Sequence, residues 1–124
     1  MFENEIIIKK SKFISKLYYV NSTEEINDIL ENLKKEYKKA THICYAYSVN
    51  GKEKAYDDKE PSHTAGLPIL NMIHMKNLNN VLIVVIRYFG GVKLGAGPLT
   101  RAYLTSASEV IKQSKKICVM QIFF

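Results

Sequence analysis

The stretch Val81-Leu82-Ile83-Val84-Val85-Ile86-Arg87-Tyr88-Phe89-Gly90-Gly91-Val92-Lys93-Leu94-Gly95-Ala96-Gly97-Pro98-Leu99 decides the architecture. Residues 81–86 are apolar at every position, so they predict a strand covered on both faces and central in its sheet. Gly97 and Pro98 supply the N-cap and first position of a helix, with Leu99, Ala102, Tyr103, Ala107, Val110 and Ile111 on one stripe. Between strand and helix lies a glycine-rich, cationic turn. It and its edges hold four of the six glycines, Gly90, Gly91, Gly95 and Gly97, and both arginines, Arg87 and Arg101. Such a turn offers bare backbone N–H groups and the positive end of a helix dipole to an anion. The same glycines also suit a plain tight turn under a packed strand.

Working outward, Glu5–Lys9 and Lys12–Val20 read as strands. Ser22-Thr23-Glu24-Glu25 is a capping box, and Ile26, Ile29, Leu30, Leu33 and Tyr37 form the apolar face of the helix it starts. His42–Val49 alternates as a strand, and Asn50-Gly51 is a hairpin turn that returns it through Lys52–Tyr56. Residues 57–66 are loop-like. Residues 68–75 fit a short helix or a strand, and residues 117–124 read as a closing strand. The expected fold is α+β, residues 1–124 as one domain, a two-layer sandwich with helices on one face of a mixed β-sheet.

The chain of 124 residues carries a net charge of +6, all of it in residues 61–124, where Glu109 is the only acid. Residues 1–60 are neutral. That imbalance predicts one positive face suited to a phosphate-bearing partner. Sixteen lysines stand against two arginines, so Arg87 and Arg101 at the turn mark places where a planar fork is wanted. Cys44 and Cys118 form no disulfide framework, the first five residues do not resemble a signal peptide, and no apolar run reaches membrane-span length. These features predict a cytoplasmic protein with reduced thiols and no membrane association.

Specific chemistries narrow quickly. Ala96 follows Gly95 where a Walker loop needs Lys-Ser/Thr, and Thr100 stands where a dinucleotide fingerprint needs its third glycine. No nucleotide class is therefore specified. Asp57, Asp58 and Glu60 crowd three carboxylates into four residues, enough oxygen ligands for a divalent cation, or else a capped polar turn. His42 and Cys44 share a strand face and suggest half a zinc site with His63 or Cys118, or core packing. Tyr45 and Tyr88 are the aromatic faces expected to stack on bases beside the cations.

Read together, several blocks resemble the amino-terminal domain of the Impact family, also called the YigZ family. They are Lys10-Ser-Lys-Phe-Ile14, Ala40-Thr-His-Ile-Cys-Tyr-Ala-Tyr47, Asp57-Asp-Lys-Glu-Pro-Ser-His-Thr-Ala-Gly-Leu-Pro-Ile-Leu70 and Val84–Gly97, followed by Leu99 and Arg101-Ala-Tyr103. The resemblance covers nearly the whole chain. It implies a fold similar to ribosomal protein S5 domain 2, with a βαβ crossover of the uncommon left hand. It also implies a role around translation and carries over no catalytic residue. Eukaryotic relatives act through a protein partner, and bacterial relatives are regarded as nucleic-acid binders. Three departures stand out: Lys59 and His63 replace family glycines, Pro98 replaces a frequent glycine, and the family's second small domain does not follow Phe124.

These readings converge on a non-enzymatic module that binds RNA or a ribosome-like phosphate surface. Arg87, Tyr88, Gly90, Gly91, Lys93, Gly95, Gly97 and Arg101 form the expected phosphate site, supported by Tyr45, His42 and His63. No cofactor is expected. The alternatives are a metal-assisted enzyme using Asp57, Asp58 and Glu60, or a protein-docking regulator. A homodimer through the closing strand is also expected as a form of partnering.

Overall fold

A computed structural model describes residues 1–123, with side chains described as far as residue 115. The strands are β1 (Phe2–Ile8), β2 (Ser11–Tyr19), β3 (His42–Val49), β4 (Lys52–Tyr56) and β5 (Val81–Tyr88). The helices are α1 (Thr23–Glu36), α2 (Gly66–Met75) and α3 (Ala96–Phe123). One five-stranded sheet runs in the order β1-β2-β5-β3-β4. The central place expected for residues 81–86 is thus observed, and β5 is buried from Val81 to Arg87.

The α+β class holds, with two corrections to the expected arrangement. Every neighbouring pair of strands is antiparallel, so the sheet is not mixed. The helices also cover both faces, giving three layers rather than two. Val81, Ile83 and Val85 meet α2 and α3 through Ile69, Ile73, Leu99, Tyr103 and their neighbours. Leu82, Val84 and Ile86 meet α1 through Ile26, Leu30 and Leu33. Strand alternation makes this possible, since successive side chains of β5 point to opposite faces.

Two connections, β2-α1-β3 and β4-α2-β5, each join parallel strands that have one antiparallel strand between them. With strand directions aligned, they move across the sheet in the same sense but over opposite faces. Their hands are therefore opposite, and one of them is the rare left-handed form.

Local signals explain the element ends. The Ser22 side chain accepts from Glu25 N–H at 3.2 Å, while the Glu25 carboxylate reaches back to Asn21 N–H at 2.9 Å. Asn50 and Gly51 adopt φ of 50° and 76°, the left-handed pair a two-residue hairpin needs. α3 starts at Ala96, two residues before the expected first position Pro98, with Leu99 N–H bonded to the carbonyl of Gly95, which takes the capping place expected of Gly97, at 2.9 Å. The segment expected as a closing strand continues this helix to Phe123. Among the described residues this segment therefore offers no strand to pair with a second copy. Cys118 lies outside the residues whose side chains are described.

Candidate functional site

β5, β3 and β2 bring Arg87, His42 and Ser11 to the same end of the sheet, where His42 lies opposite Arg87 in register. Two loops close over this end, the acidic loop of residues 57–65 and the glycine loop of residues 89–95. Between them is a cavity of about 340 Å³ lined by Thr41, His42, Glu60, Pro61, Arg87, Phe89, Lys93, Leu94 and Leu99.

Its floor is a buried ion pair. The Arg87 and Glu60 side chains are 6% and 4% exposed, with Nη1 to Oε2 at 2.7 Å. Tyr103 Oη donates to the same carboxylate oxygen at 2.5 Å. His42 Nε2 lies 3.3 Å from the other oxygen, and its Nδ1–H donates to the Asp58 carbonyl at 2.7 Å. Arg87 Nη2 donates to Ser11 Oγ at 3.3 Å, and the guanidinium lies 5.4 Å and 5.7 Å from the Phe13 and Phe89 ring centres. Within this network, Arg87 Nε is buried with no hydrogen-bond partner among the described residues. Arg87 was expected to hold phosphate directly; it is already committed to Glu60.

The Cys44 thiol packs beside this network, 3.1 Å from the Asp57 carbonyl and 3.4 Å from Tyr103 Oη. Burial raises the pKa of both groups well above its ordinary value, and for Tyr103 the neighbouring Cys44 and Glu60 push the same way. Neither is primed as a nucleophile.

The three acids do not converge. Asp57 accepts from the N–H groups of His63, Ala65 and Gly66 at 3.0, 3.2 and 2.8 Å, which organises the start of α2. Asp58 accepts from Ile43 N–H at 2.6 Å and from Tyr56 Oη at 3.3 Å. Glu60 serves Arg87. Among the described residues no group of three His, Cys, Asp or Glu side chains is arranged to hold a metal ion. Asp57, Asp58 and Glu60 are consumed by the loop itself. Lys59 and His63 adopt φ of 67° and 64°, so the loop keeps a glycine-type backbone where the family resemblance puts glycines. His63 contributes its backbone N–H here.

The glycine loop divides in two. A Cβ on Gly90 would come 1.9 Å from the Lys10 carbonyl oxygen, and Gly91 has φ of +91°, so both glycines are required by the turn. Gly95 and Gly97 are different. The nearest heavy atoms to a Cβ there are Pro98 Cδ at 3.7 Å and Arg101 Nη1 at 3.5 Å. Lys93 and Arg101 are exposed and form no ion pair among the described residues.

Tyr45 and Tyr88 lie on the other face of the sheet, in the cluster under α1. Tyr45 is nearly buried and packs against Tyr47 and Tyr56. They cannot stack on a ligand in the glycine-loop cavity. The exposed aromatic there is Phe89, at 45%. Thr41, Pro61 and Leu94 also line the cavity, and sequence reasoning did not mark them.

Among known proteins, the model of the Impact N-terminal domain family matches residues 9–111. The IMPACT family member YvyE of Bacillus subtilis is 46% identical over 110 residues, covering 86% of this chain and 51% of YvyE. A crystal structure described as that of a hypothetical protein superposes with a TM-score of 0.87 at 31% identity, over 90% of this chain and 57% of that one. The structure of the two-domain translational regulator Yih1 gives a TM-score of 0.55 at 25% identity, over 89% of this chain and 45% of Yih1. The chain spans about half the length of the curated relatives it matches. No helix among the described residues is long and apolar enough to cross a membrane.

Proposed function

This chain belongs to the Impact N-terminal domain family, and we propose that it is a binding module of translational regulation that docks RNA phosphates at the glycine loop. Yih1's description as a translational regulator supports the setting. One observation carries the chemistry: Lys93 and Arg101 stand exposed and unpaired among the described residues, beside Gly95 and Gly97, which neither packing nor a positive φ requires. Bare glycines next to free cations let phosphate oxygens approach the backbone N–H groups at the start of α3. Arg87 supports this surface from below rather than touching the phosphate.

The reading predicts RNA binding that weakens steeply with salt, because each neutralised phosphate releases condensed counterions. Fluorescence anisotropy with a short single-stranded RNA at several salt concentrations measures the slope. Replacing Lys93 and Arg101 together by Ala reduces it by about 0.7 per lost phosphate contact. Affinity and slope unchanged in that double variant would overturn the assignment.

A further inference from the structure

The cavity beside the glycine loop has more structure than a phosphate-docking surface needs. It is a recess, closed below by the Arg87–Glu60 pair and flanked by Pro61, Phe89, Leu94 and Leu99. Its size, about 340 Å³, lies within the usual range of small-ligand sites, roughly 300–1,000 Å³. Resting on the reading above, we infer that it takes a single 5′-phosphorylated nucleotide, with the base against Phe89 and the phosphate at Lys93.

Charge, aromatic surface and hydrogen bonding point the same way. Glu60 is the only carboxylate in the lining, and Arg87, Tyr103 and His42 surround it, so it does not repel an anion at the rim. Lys93 lines the cavity without an ion-pair partner among the described residues. The amides of Ala96 and Gly97 precede Leu99, whose N–H is the first intrahelical donor of α3, and the first turn of that helix holds no acid. Phe89 is 45% exposed although its neighbour Arg87 is buried. The guanidinium 5.7 Å from the ring centre takes up only part of its surface and leaves room for a base. Thr41 Oγ1 accepts from Phe89 N–H at 2.9 Å, which leaves the hydroxyl hydrogen for a base edge or a sugar. The walls are mostly apolar, so the site grips one nucleotide with little choice of base.

The ligand has two possible sources, a free nucleoside monophosphate or the 5′ end of an RNA. The test uses calorimetric titration with AMP, CMP, GMP and UMP. It also uses anisotropy with one short RNA carrying either a 5′-phosphate or a 5′-hydroxyl. Wild type and Phe89→Ala are compared, with circular dichroism confirming that the half-exposed substitution leaves the fold intact. Mononucleotide binding weakened about tenfold or more by Phe89→Ala, the scale of one base–aromatic contact, supports the site with a free nucleotide as ligand. A preference for 5′-phosphorylated RNA that disappears in Phe89→Ala supports it with an RNA end. No mononucleotide binding and equal affinity for the two RNAs overturn it. In that case, 5′-hydroxyl RNA binding that still depends on Lys93 and Arg101 leaves the phosphate-docking reading standing. Absence of any RNA or nucleotide binding overturns both.

Discussion

The acidic loop and the glycine loop meet over the same end of the sheet, and both look like sites in the sequence. Their side chains are spent differently. In the acidic loop every carboxylate has an internal partner: Asp57 holds the start of α2, Asp58 ties the loop to β3, and Glu60 neutralises Arg87. In the glycine loop, Gly90 and Gly91 shape the turn, while Lys93 and nearby Arg101 have no ion-pair partner among the described residues. Clustering of chemically able residues is therefore a poor guide to function by itself. What separates a brace from a site is whether its polar groups have already found partners.

The sharpest way to break the comparison is to cut the brace. Glu60→Ala leaves the Arg87 guanidinium buried without its counter-charge, and removing one member of a buried pair costs about 3–5 kcal/mol. Urea unfolding measures this; a loss below about 1 kcal/mol would mean that water readily reaches Arg87 and that the loop is no brace. A smaller effect follows from pH. Cys44 and Tyr103 keep their protons in the fold at pH values where the unfolded chain releases them, since burial raises both. The unfolded state then binds fewer protons, so stability falls as pH rises above the ordinary thiol value of 9.0. The slope is about 1.4 kcal/mol per pH unit for one such group. Cys44→Ala delays the onset to the ordinary phenol value of 10.0 for Tyr103, as followed by urea unfolding across that range. The smallest effect belongs to the other loop. Lys93→Ala with Arg101→Ala changes stability by no more than about 0.5 kcal/mol, because exposed unpaired charges contribute little to the fold. A larger loss in thermal or urea unfolding would make the glycine loop a brace too.

Much of this was legible in the residues. The unbroken apolar run 81–86 announced a central strand, Ser22 with Glu25 announced α1, and Asn50-Gly51 announced the β3–β4 hairpin. The layering was not legible, because which face a crossover helix covers depends on its hand, and this chain uses both hands. The apolar segment from residue 117 has no internal stop from α3, and the helix continues through it to Phe123. At the site, the glycine loop was found but its floor was not. Arg87 and Glu60 are 27 residues apart, and no local pattern records their pairing. Tyr88 is the instructive error. It adjoins Arg87 in β5, so pleat alternation sends it to the opposite face, and the cavity's aromatic is Phe89, beyond the strand end.

The position of β5 also governs the order in which the chain can become a sheet. The β1–β2 and β3–β4 hairpins join sequence neighbours, but β2 and β3 meet only through β5. Until residues 81–88 have been synthesised, the inner edges of β2 and β3 have no partner in the sheet. Long-range pairing of this kind is slow, and an open strand edge is a template for foreign strands. The nascent chain therefore passes through a vulnerable interval that closes when its most apolar strand arrives and fills the gap.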